Sequence, residues 1–236
     1  MKALILAAGL GTRLAPITDS CPKSMISVNK KPILVKQIEN LLENKISEIT
    51  VIAGYKSEML TKAIKNHFPN VEIIVNAEYA STNNMYSAFL GRGSMNGKPF
   101  IMMNADVFYD SSVIKALCAH YSENAIVTDI GRYLVESMKV VEKNGRLISI
   151  SKFIAKEEAC GTSIDVYKFS KEGGQAFFNK CSEYIEGKHE VKLWSEVALN
   201  DILLKIKFVA CPIKGRWFEI DNLDDLREAE RIFIND

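Results

Sequence analysis

The residues of this sequence best placed to do chemistry are a glycine turn and the basic side chains behind it. Gly9 and Gly11 follow the apolar run at residues 2–7, and glycines let successive backbone N–H groups face an anion. Arg13 and Lys23 add positive charge soon afterwards. The combination predicts a phosphate-binding loop, with a purely structural strand-to-helix turn as the simpler alternative.

Two familiar phosphate-binding turns do not fit this loop. Leu14 stands where a dinucleotide-binding fingerprint has its third glycine, and the Gly-Lys-Ser/Thr of a P-loop is absent. A dinucleotide-binding turn is therefore disfavoured, while a triphosphate could still be held at this loop.

Two aspartates are candidate metal ligands, because each follows an apolar run. Asp106 ends the segment Ile101-Met-Met-Asn-Ala-Asp106, and Asp221 follows Trp217-Phe-Glu-Ile. Parallel sheets present ligand sites at the carboxyl ends of their strands, and Mg²⁺ is usually bound by one or two carboxylates with substrate oxygens and water. Taken alone, each aspartate also suits a helix cap or a solvated turn, and Asp221 could simply start the last helix.

Strands and helices must position these residues. In the first half of the chain, short apolar runs alternate with segments of helical period. This pattern is typical of an α/β fold with a largely parallel sheet. The predicted strands are Lys2–Ala7, Glu48–Ala53, Val71–Val75, Pro99–Met103 and Ala125–Asp129, and the predicted helices are Pro32–Glu43, Ser57–His67, Asn84–Gly91 and Ser111–Tyr121.

After Arg132 the pattern changes to strands expected to pair antiparallel, with Asn144-Gly145 as the strongest hairpin turn. We expect residues 133–169 to form a small lid-like β-region within a single domain spanning 1–236. The elements predicted here and beyond are strands Met138–Glu142, Leu147–Phe153, Thr162–Phe169 and Ile206–Pro212 and helices Lys171–Ile185, Trp194–Leu204 and Leu223–Phe233.

Composition narrows the functional classes. The 236 residues are 47% hydrophobic, and 30 basic against 29 acidic residues leave a charge of +1, so no overall field attracts nucleic acid or a membrane surface. No segment approaches the roughly 20 apolar residues of a membrane helix. The five scattered cysteines include no CxxC pair, which indicates a reducing cytoplasm rather than a disulfide framework or a zinc site.

The N-terminal region resembles the signature of the nucleoside-diphosphate-sugar pyrophosphorylase superfamily of nucleotidyltransferases. The matching segments are Gly9-Leu-Gly-Thr-Arg-Leu-Ala-Pro-Ile-Thr18, Pro22-Lys23-Ser24-Met25 and Lys31-Pro32-Ile33. The resemblance implies a Rossmann-like, GT-A-like mixed sheet. It also implies that Lys23 contacts the phosphates at the reacting centre and that Arg13 binds the leaving pyrophosphate. The loop residues implied in nucleotide binding are Leu6, Ala7, Ala8, Gly9, Gly11 and Thr12.

The same resemblance implies that Asp106 and Asp221 hold Mg²⁺ together. Sugar-nucleotide members usually have Gly-Asp at the first site, whereas this chain has Asn104-Ala105-Asp106. That variation is similar to the small-acceptor cytidylyltransferases, notably the bacterial phosphocholine cytidylyltransferases.

The segment Ser81–Ser87 could cap a helix or contact the edge of a base. Its Asn83-Asn84-x-x-Ser87 pattern resembles the bacterial phosphocholine cytidylyltransferases and their aminoethylphosphonate-using relatives. The resemblance therefore implies CTP as the donor, with Asn83, Asn84 and Ser87 in contact with it.

The sequence specifies the acceptor less closely than the nucleotide donor. A choline group favours an aromatic cage, yet Leu134–Val140 has no aromatic residue where phosphocholine enzymes carry a tryptophan. A small-acceptor signature without that cage is similar to the CTP:phosphoglutamine cytidylyltransferase of campylobacter-type capsule pathways. The available aromatics are Tyr133, Phe153, Trp194 and Trp217. An acceptor phosphate could be contacted by Lys139, Lys152 or Lys156, and an acceptor amine by Glu136, Glu196 or Asp201. Each of these six residues also fits an ordinary surface charge.

The sequence thus predicts Mg²⁺-dependent transfer of CMP from CTP to a small phosphorylated acceptor such as phosphoglutamine, phosphocholine or a similar amine phosphate. Pyrophosphate would be released, and the pathway would modify a cell-surface polysaccharide such as a capsule. Two alternatives stay open: a sugar-1-phosphate nucleotidyltransferase using dTTP, UTP or GTP, and a nucleotide-binding module without catalysis. A homodimer is left open as well.

Overall fold

The computed structural model describes residues 1–95 and 97–234. Its elements alternate along the chain as an α/β fold. The strands are β1 Lys2–Ala7, β2 Ser27–Val28, β3 Lys31–Pro32, β4 Glu48–Ala53, β5 Glu72–Val75, β6 Phe100–Asn104, β7 Val107–Tyr109, β8 Ala125–Ile130, β9 Lys139–Lys143, β10 Arg146–Ser151, β11 Gly161–Phe169, β12 Val209–Pro212 and β13 Trp217–Glu219. The helices are α1 Ile33–Glu43, α2 Ser57–His67, α3 Asn84–Leu90, α4 Arg92–Met95, α5 Ser111–Ala119, α6 Lys171–Ser182, α7 Ser195–Leu203 and α8 Leu223–Ile232.

A nine-stranded mixed sheet forms the centre of the molecule, which confirms the predicted fold class. Its main path runs β10-β9-β11-β6-β1-β4-β5, and β8 and β12 extend it from β11. Strand β1 pairs in parallel with β4 and β6, whereas β11 is antiparallel to β6 and β8. The loops after β1 and β6 therefore leave the same edge of the sheet side by side.

The central strands are held by burial on both faces. All side chains of β1 after Lys2 are buried, and each fully buried aliphatic side chain contributes roughly 1.5–3 kcal/mol. Helix α1 covers one face with Ile33, Leu34, Ile38 and Leu41, all solvent-inaccessible. Leu42, the next apolar residue after Leu41, is 41% exposed, because consecutive helical positions differ by about 100°.

The predicted hairpin is confirmed in the second half of the chain. Strands β9 and β10 pair antiparallel around Asn144 and Gly145, whose φ angles are 53° and 71°, as a two-residue turn of the favoured hairpin type requires. Strand β11 continues from this hairpin into the main sheet. Closure of residues 133–169 as a lid stays a prediction, as does a single domain.

Several short elements were not expected from the sequence. Strands β2, β3, β7 and β13 and helix α4 are each four residues or fewer, too short to show a period. Strand β12 also begins three residues later than predicted, at Val209. None of the helices in the described part of the chain is long and apolar enough to cross a membrane.

Candidate active site

Asp106 lies in the turn between β6 and β7, at the carboxyl end of a central strand. Gln37 of α1 holds this turn, since its side-chain amide donates at 2.9 Å to the backbone carbonyls of both Asn104 and Val107. The amide group of Gln37 is buried among the core side chains, so the turn that carries Asp106 is fixed from inside the protein.

Asp221 reaches the same place through a second, two-stranded sheet. Strand β13 pairs antiparallel with β7, with Val107 opposite Glu219, and the backbone N–H of Ile220 donates to the carbonyl of Asp106 at 2.9 Å. Asn222, not Asp221, caps helix α8 with a capping box. The helix-start alternative for Asp221 is therefore wrong, and its carboxylate is free to face Lys23 and Arg13.

Lys23 joins the two aspartates. Its ammonium group lies 2.9 Å from Asp106 Oδ2 and 2.8 Å from Asp221 Oδ1, and the Arg13 guanidinium lies 3.0 Å from the same Asp221 oxygen. The four residues predicted to act on the phosphates and the metal thus come together, although Lys23 and Asp221 are 198 positions apart.

The electrostatics of this cluster follow from burial and pairing. Burial alone would lower the pKa of Lys23, but the carboxylates of Asp106 and Asp221 outweigh it and raise that pKa. Burial would raise the pKa of Asp221, but Lys23 and Arg13 lower it. Lys23 is therefore a fixed positive charge and Asp221 a fixed negative one at neutral pH.

Glu219 is a third carboxylate at this point, and the sequence reasoning missed it. Carboxylate oxygens of Asp106, Glu219 and Asp221 all lie within 4.8 Å of one another. Burial, followed by the charges of Asp106 and Asp221, raises the pKa of Glu219 to about 7. Its position two residues before Asp221 was a signal, since alternate residues of a strand share a face.

These carboxylates fit a divalent cation. Asp106 Oδ1 is buried and has no hydrogen-bond partner among the described residues, and such an atom is costly unless a ligand satisfies it. Hard oxygen ligands of this kind suit Mg²⁺. Lys23 now occupies the space between the two aspartates, so the lysine and an incoming cation neutralise the same charges.

The glycine turn packs directly against this cluster. Gly11 has φ 64°, and a Cβ there would lie 2.8 Å from the Cβ of Lys23. Only glycine allows both this backbone conformation and this approach. The glycine turn therefore packs directly against Lys23.

A cavity of about 320 Å³ opens beside the turn and the carboxylates, a volume within the range of small-ligand sites. Most of the predicted site residues line this cavity. Those that line it are Leu6, Ala7, Ala8, Gly9, Arg13, Lys23, Asn83, Asn84, Ser87, Asp106, Lys152, Trp194, Glu196 and Asp221. Lining residues that the sequence reasoning did not select are Ser24, Asn76, Tyr79, Thr82, Asn104, Ala105, Met138, Asp165 and Glu219.

The alternative acceptor contacts Lys156, Glu136 and Asp201 do not line the cavity, and neither do three of the other predicted site residues. Two of the three, Gly11 and Thr12, follow Gly9 in the glycine turn, and Gly11 packs closely against Lys23. Lys139 is fully buried, and its ammonium donates to the backbone carbonyls of Val135, at 2.8 Å, and Lys152. An ammonium held inside by carbonyl oxygens is not available to an acceptor phosphate.

The asparagine segment both caps a helix and borders the cavity. The Asn83 side chain accepts from the N–H of Asn84 at 2.8 Å, which confirms the capping alternative. Asn84 in turn accepts from the N–H of Ser195, and Ser87 accepts from Asn76. Contact with a base stays a prediction for this segment.

Two further acids that line the cavity, Asp165 and Glu196, are joined by Tyr167 into a chain of three hydrogen-bonding side chains. The hydroxyl of Tyr167 lies 2.8 Å from Asp165 Oδ1 and 2.8 Å from Glu196 Oε1. Asp165 adopts φ 57° where the pairing of β11 with β8 shifts register, and this irregularity turns the strand. An aspartate within an apolar strand was the signal that could have identified this site.

Lys152 and Trp194 lie beside these acids. The Lys152 ammonium is 5.2 Å from the centroid of the Trp194 ring, a cation–π distance. The lining of the cavity therefore includes positive groups near the glycine turn and at Lys152, together with the carboxyl groups of both acidic clusters.

Comparison with known proteins gives consistent matches over the whole chain. The model of the nucleotidyl transferase family matches residues 2–232. The choline-phosphate cytidylyltransferase of Streptococcus pneumoniae is 28% identical over 256 aligned residues, which cover 100% of both chains. The CTP:phosphoglutamine cytidylyltransferase of Campylobacter jejuni is 29% identical over 248 residues, covering 96% of this chain and 98% of that one.

One solved structure shows how closely the fold is shared. The CTP:phosphocholine cytidylyltransferase from Streptococcus pneumoniae superimposes with a TM-score of 0.81 at 24% identity, covering 98% of each chain. At that identity the match demonstrates the fold, and the resemblance expected from the N-terminal segments is confirmed at the level of the family.

Proposed function

Because the chain belongs to the nucleotidyl transferase family, we propose that it transfers CMP from CTP to a small phosphorylated acceptor and releases pyrophosphate. The observation that carries this proposal is the convergence of Lys23, Asp106 and Asp221 beside the glycine turn. A protein that only bound a nucleotide would not need three converging charges in the cavity.

The reaction requires charge neutralisation and alignment rather than a covalent enzyme intermediate. An oxygen of the acceptor phosphate attacks the α-phosphorus of CTP, the bond to the bridging oxygen of the β-phosphate breaks, and pyrophosphate leaves. Backbone N–H groups of the glycine turn and the Arg13 guanidinium receive the β- and γ-phosphates. Lys23 lies nearest the reacting centre, where its positive charge offsets the charge that develops on phosphate oxygens.

Asp106 and Asp221, with Glu219 beside them, would hold Mg²⁺. When bound, this ion supplies further charge neutralisation to the phosphate oxygens. Three ionised carboxylates balance the charges of Lys23 and a divalent cation together, which leaves the charge of Arg13 for the phosphates.

CTP is the donor we infer, on two grounds. The two curated relatives described above are named as cytidylyltransferases, and Asn83, Asn84 and Ser87 line the cavity. Amide and hydroxyl groups can recognise the hydrogen-bonding edge of a base.

The acceptor side of the cavity combines a positive and a negative group. Lys152 suits an acceptor phosphate, and Glu196, beside Trp194, suits an amine. We propose an amine phosphate as the acceptor, of the same class as the phosphorylated acceptors named for the relatives. A role in modifying a cell-surface polysaccharide follows from the sequence resemblance alone.

The test is a pyrophosphate-release assay with Mg²⁺ and each of CTP, UTP, dTTP and GTP. The acceptors are phosphocholine, phosphoethanolamine, aminoethylphosphonate, phosphoglutamine and several sugar 1-phosphates. We expect pyrophosphate with CTP and an amine phosphate. Turnover with UTP, dTTP or GTP and a sugar 1-phosphate would replace the proposal by the sugar-nucleotide alternative. CTP binding in a calorimeter with no pyrophosphate from any acceptor would indicate a module without catalysis.

A further inference from the structure

The hydrogen bonds of the Asp165–Tyr167–Glu196 chain require that one of its two carboxyl groups is protonated. The Tyr167 hydroxyl has a single hydrogen and lies 2.8 Å from a carboxyl oxygen on either side. It can donate to only one of them. The other contact is favourable only if that carboxyl group is protonated and donates to the phenol oxygen, because a second carboxylate would face an oxygen lone pair.

The surrounding donors identify Asp165 as the protonated member. Glu196 Oε1 also accepts from the Ser195 hydroxyl at 3.1 Å, so two O–H groups converge on it. Asp165 Oδ2 accepts from Asn104, which leaves Oδ1 to carry the proton. Burial, followed by the negative charges of Glu196, Glu219 and Asp106, raises the pKa of Asp165 well above its usual range. The pair therefore carries one negative charge, on Glu196.

The second oxygen of that glutamate has no partner. Glu196 is 2% exposed and lines the cavity, and its Oε2 atom receives no hydrogen bond from the described residues. A buried carboxylate oxygen without a donor is costly. A ligand that brings an N–H donor and a positive charge would satisfy both needs.

We propose that the Asp165–Tyr167–Glu196 chain is a monoanionic subsite for a protonated amine of the acceptor, with Glu196 Oε2 as the atom that accepts its N–H hydrogen bond. This inference rests on the proposed transfer reaction, because it concerns the acceptor end of the same cavity. It narrows the acceptor from amine phosphates in general to those whose nitrogen carries hydrogen.

The aromatic lining supports an N–H amine over a quaternary ammonium. A trimethylammonium group has no N–H donor and is normally bound by several aromatic faces. The aromatic residues that line this cavity are Trp194 and Tyr79, and the Trp194 ring already has the Lys152 ammonium 5.2 Å from its centroid. A quaternary group would leave Glu196 Oε2 without a hydrogen-bond donor.

Three acceptors distinguish an N–H amine from a quaternary ammonium and from a neutral group: phosphoethanolamine, phosphocholine and 2-hydroxyethyl phosphate. In each of them two carbons separate the phosphate from the terminal group. They differ only in ending in an ammonium, a trimethylammonium or a hydroxyl group. We expect kcat/KM for phosphoethanolamine to exceed those of the other two by about 10- to 100-fold, the range of a hydrogen bond to a charged group. Equal values for phosphoethanolamine and 2-hydroxyethyl phosphate, or a preference for phosphocholine, would overturn the subsite.

Two substitutions distinguish the charged member from the neutral one. Glu196→Gln should abolish the preference for phosphoethanolamine over 2-hydroxyethyl phosphate. Asp165→Asn should keep that ratio within about threefold, since an asparagine amide can donate to Tyr167 and accept from Asn104 as the protonated acid does. Glu158→Gln, at an exposed glutamate, is the control for a lost negative charge. Loss of the preference in Asp165→Asn but not in Glu196→Gln would contradict the assignment.

Calorimetric binding of the three acceptors to the wild-type protein with Mg²⁺ and a non-hydrolysable CTP analogue keeps this test separate from the proposed function. Preferential binding of phosphoethanolamine supports the subsite even if no pyrophosphate is released, in which case only the transfer reaction fails. Equal binding of all three overturns the subsite even if transfer from CTP is observed. Because this measurement uses the unmodified protein, it decides the question even if Glu196→Gln does not fold.

Discussion

At Lys23 one ammonium group holds two carboxylates that would otherwise repel each other. Its 2.9 and 2.8 Å contacts to Asp106 and Asp221 are charge-assisted hydrogen bonds, which are about twice as strong as neutral ones. The same ammonium lies beside the phosphate loop. We therefore propose that it is the counter-ion of the site before substrate arrives and a phosphate ligand afterwards.

Replacing Lys23 by alanine should lower kcat by roughly 10²–10³-fold, the usual loss when one preorganised charge is removed from a reacting centre. The measurement is pyrophosphate release at saturating CTP, with circular dichroism to verify folding. Lys62→Ala removes an equal charge from an exposed position on α2 and should leave kcat unchanged. Near-full activity of Lys23→Ala would remove the lysine from the mechanism.

Replacing Asp165 by asparagine should make the protein more stable at pH 7. The native pKa of Asp165 is raised, so above the ordinary aspartate pKa the unfolded chain loses a proton that the native state retains. This difference favours unfolding increasingly until the pH passes the native pKa. Below about pH 4 both states are protonated, and wild type and variant should have the same Tm.

Thermal unfolding of wild type and Asp165→Asn at several pH values between 4 and 8 measures this effect. The expected result is a difference in Tm that grows with pH in favour of the variant. A variant less stable than wild type at pH 7, with the gap closing toward pH 4, would mean that Asp165 is ionised in the native protein.

At the residue scale, the sequence identified some residues of the site and not others, and this difference has a physical cause. Asp106 and Asp221 were candidates because each follows an apolar run, and the resemblance of the N-terminal segments identified Lys23. Glu219 and Asp165 were not selected despite the signals noted above, because their place in the site depends on strand pairing and on a left-handed backbone at Asp165. Neither pairing nor a single residue's φ angle can be obtained from composition or period.

Among the elements, α1 and the β7–β13 pair bring the acidic residues to one point. The sequence showed α1 clearly, since its apolar positions repeat at helical spacing, and β1, β4 and α2 were predicted with their observed bounds. Strands β7 and β13 have three residues each. Their pairing joins segments more than a hundred residues apart, which local patterns do not record.

Replacing Gln37 by leucine tests how α1 supports the turn that carries Asp106. The change leaves the carbonyls of Asn104 and Val107 without a donor, at a cost of about 1–3 kcal/mol for a buried unsatisfied group. It also removes the buried Gln37 Oε1, which has no partner within residues 1–95 and 97–234, and this removal offsets part of the cost of the two unpaired carbonyls. We expect destabilisation of about 1–3 kcal/mol and a higher Mg²⁺ concentration for half-maximal activity.

Urea unfolding and Mg²⁺ titration of the rate measure the two effects. Gln175→Leu makes the same chemical change at an exposed position of α6 and should alter neither by much. Wild-type Mg²⁺ dependence in a destabilised Gln37→Leu protein would show that the turn does not need the glutamine to place Asp106.

On the scale of the whole molecule, the site exists only when distant segments have folded together. Its charged groups come from residues 13–23, 106 and 219–221. A nucleotide bound among them must therefore stabilise the entire fold. At a hundredfold excess over Kd the gain is about 2.7 kcal/mol, which for a chain of this size corresponds to roughly 5–10 °C in Tm.

We expect a Tm increase of this size with CTP and Mg²⁺ together, measured by thermal denaturation. Asp106→Asn should lose the part of the increase that depends on Mg²⁺, whereas the exposed-lysine variant Lys62→Ala should retain it. An equal increase in Asp106→Asn would place the cation elsewhere.

The pairing of Lys23 with Asp221 across 198 positions also has a consequence for biosynthesis. A polypeptide leaves the ribosome from its N-terminus, so the lysine and the glycine turn emerge long before the aspartate is translated. Until then the nascent chain has the glycine turn, Lys23 and Asp106 without Glu219 and Asp221. The growing protein should accordingly be unable to hold magnesium and nucleotide together until the segment that carries Asp221 has left the ribosome.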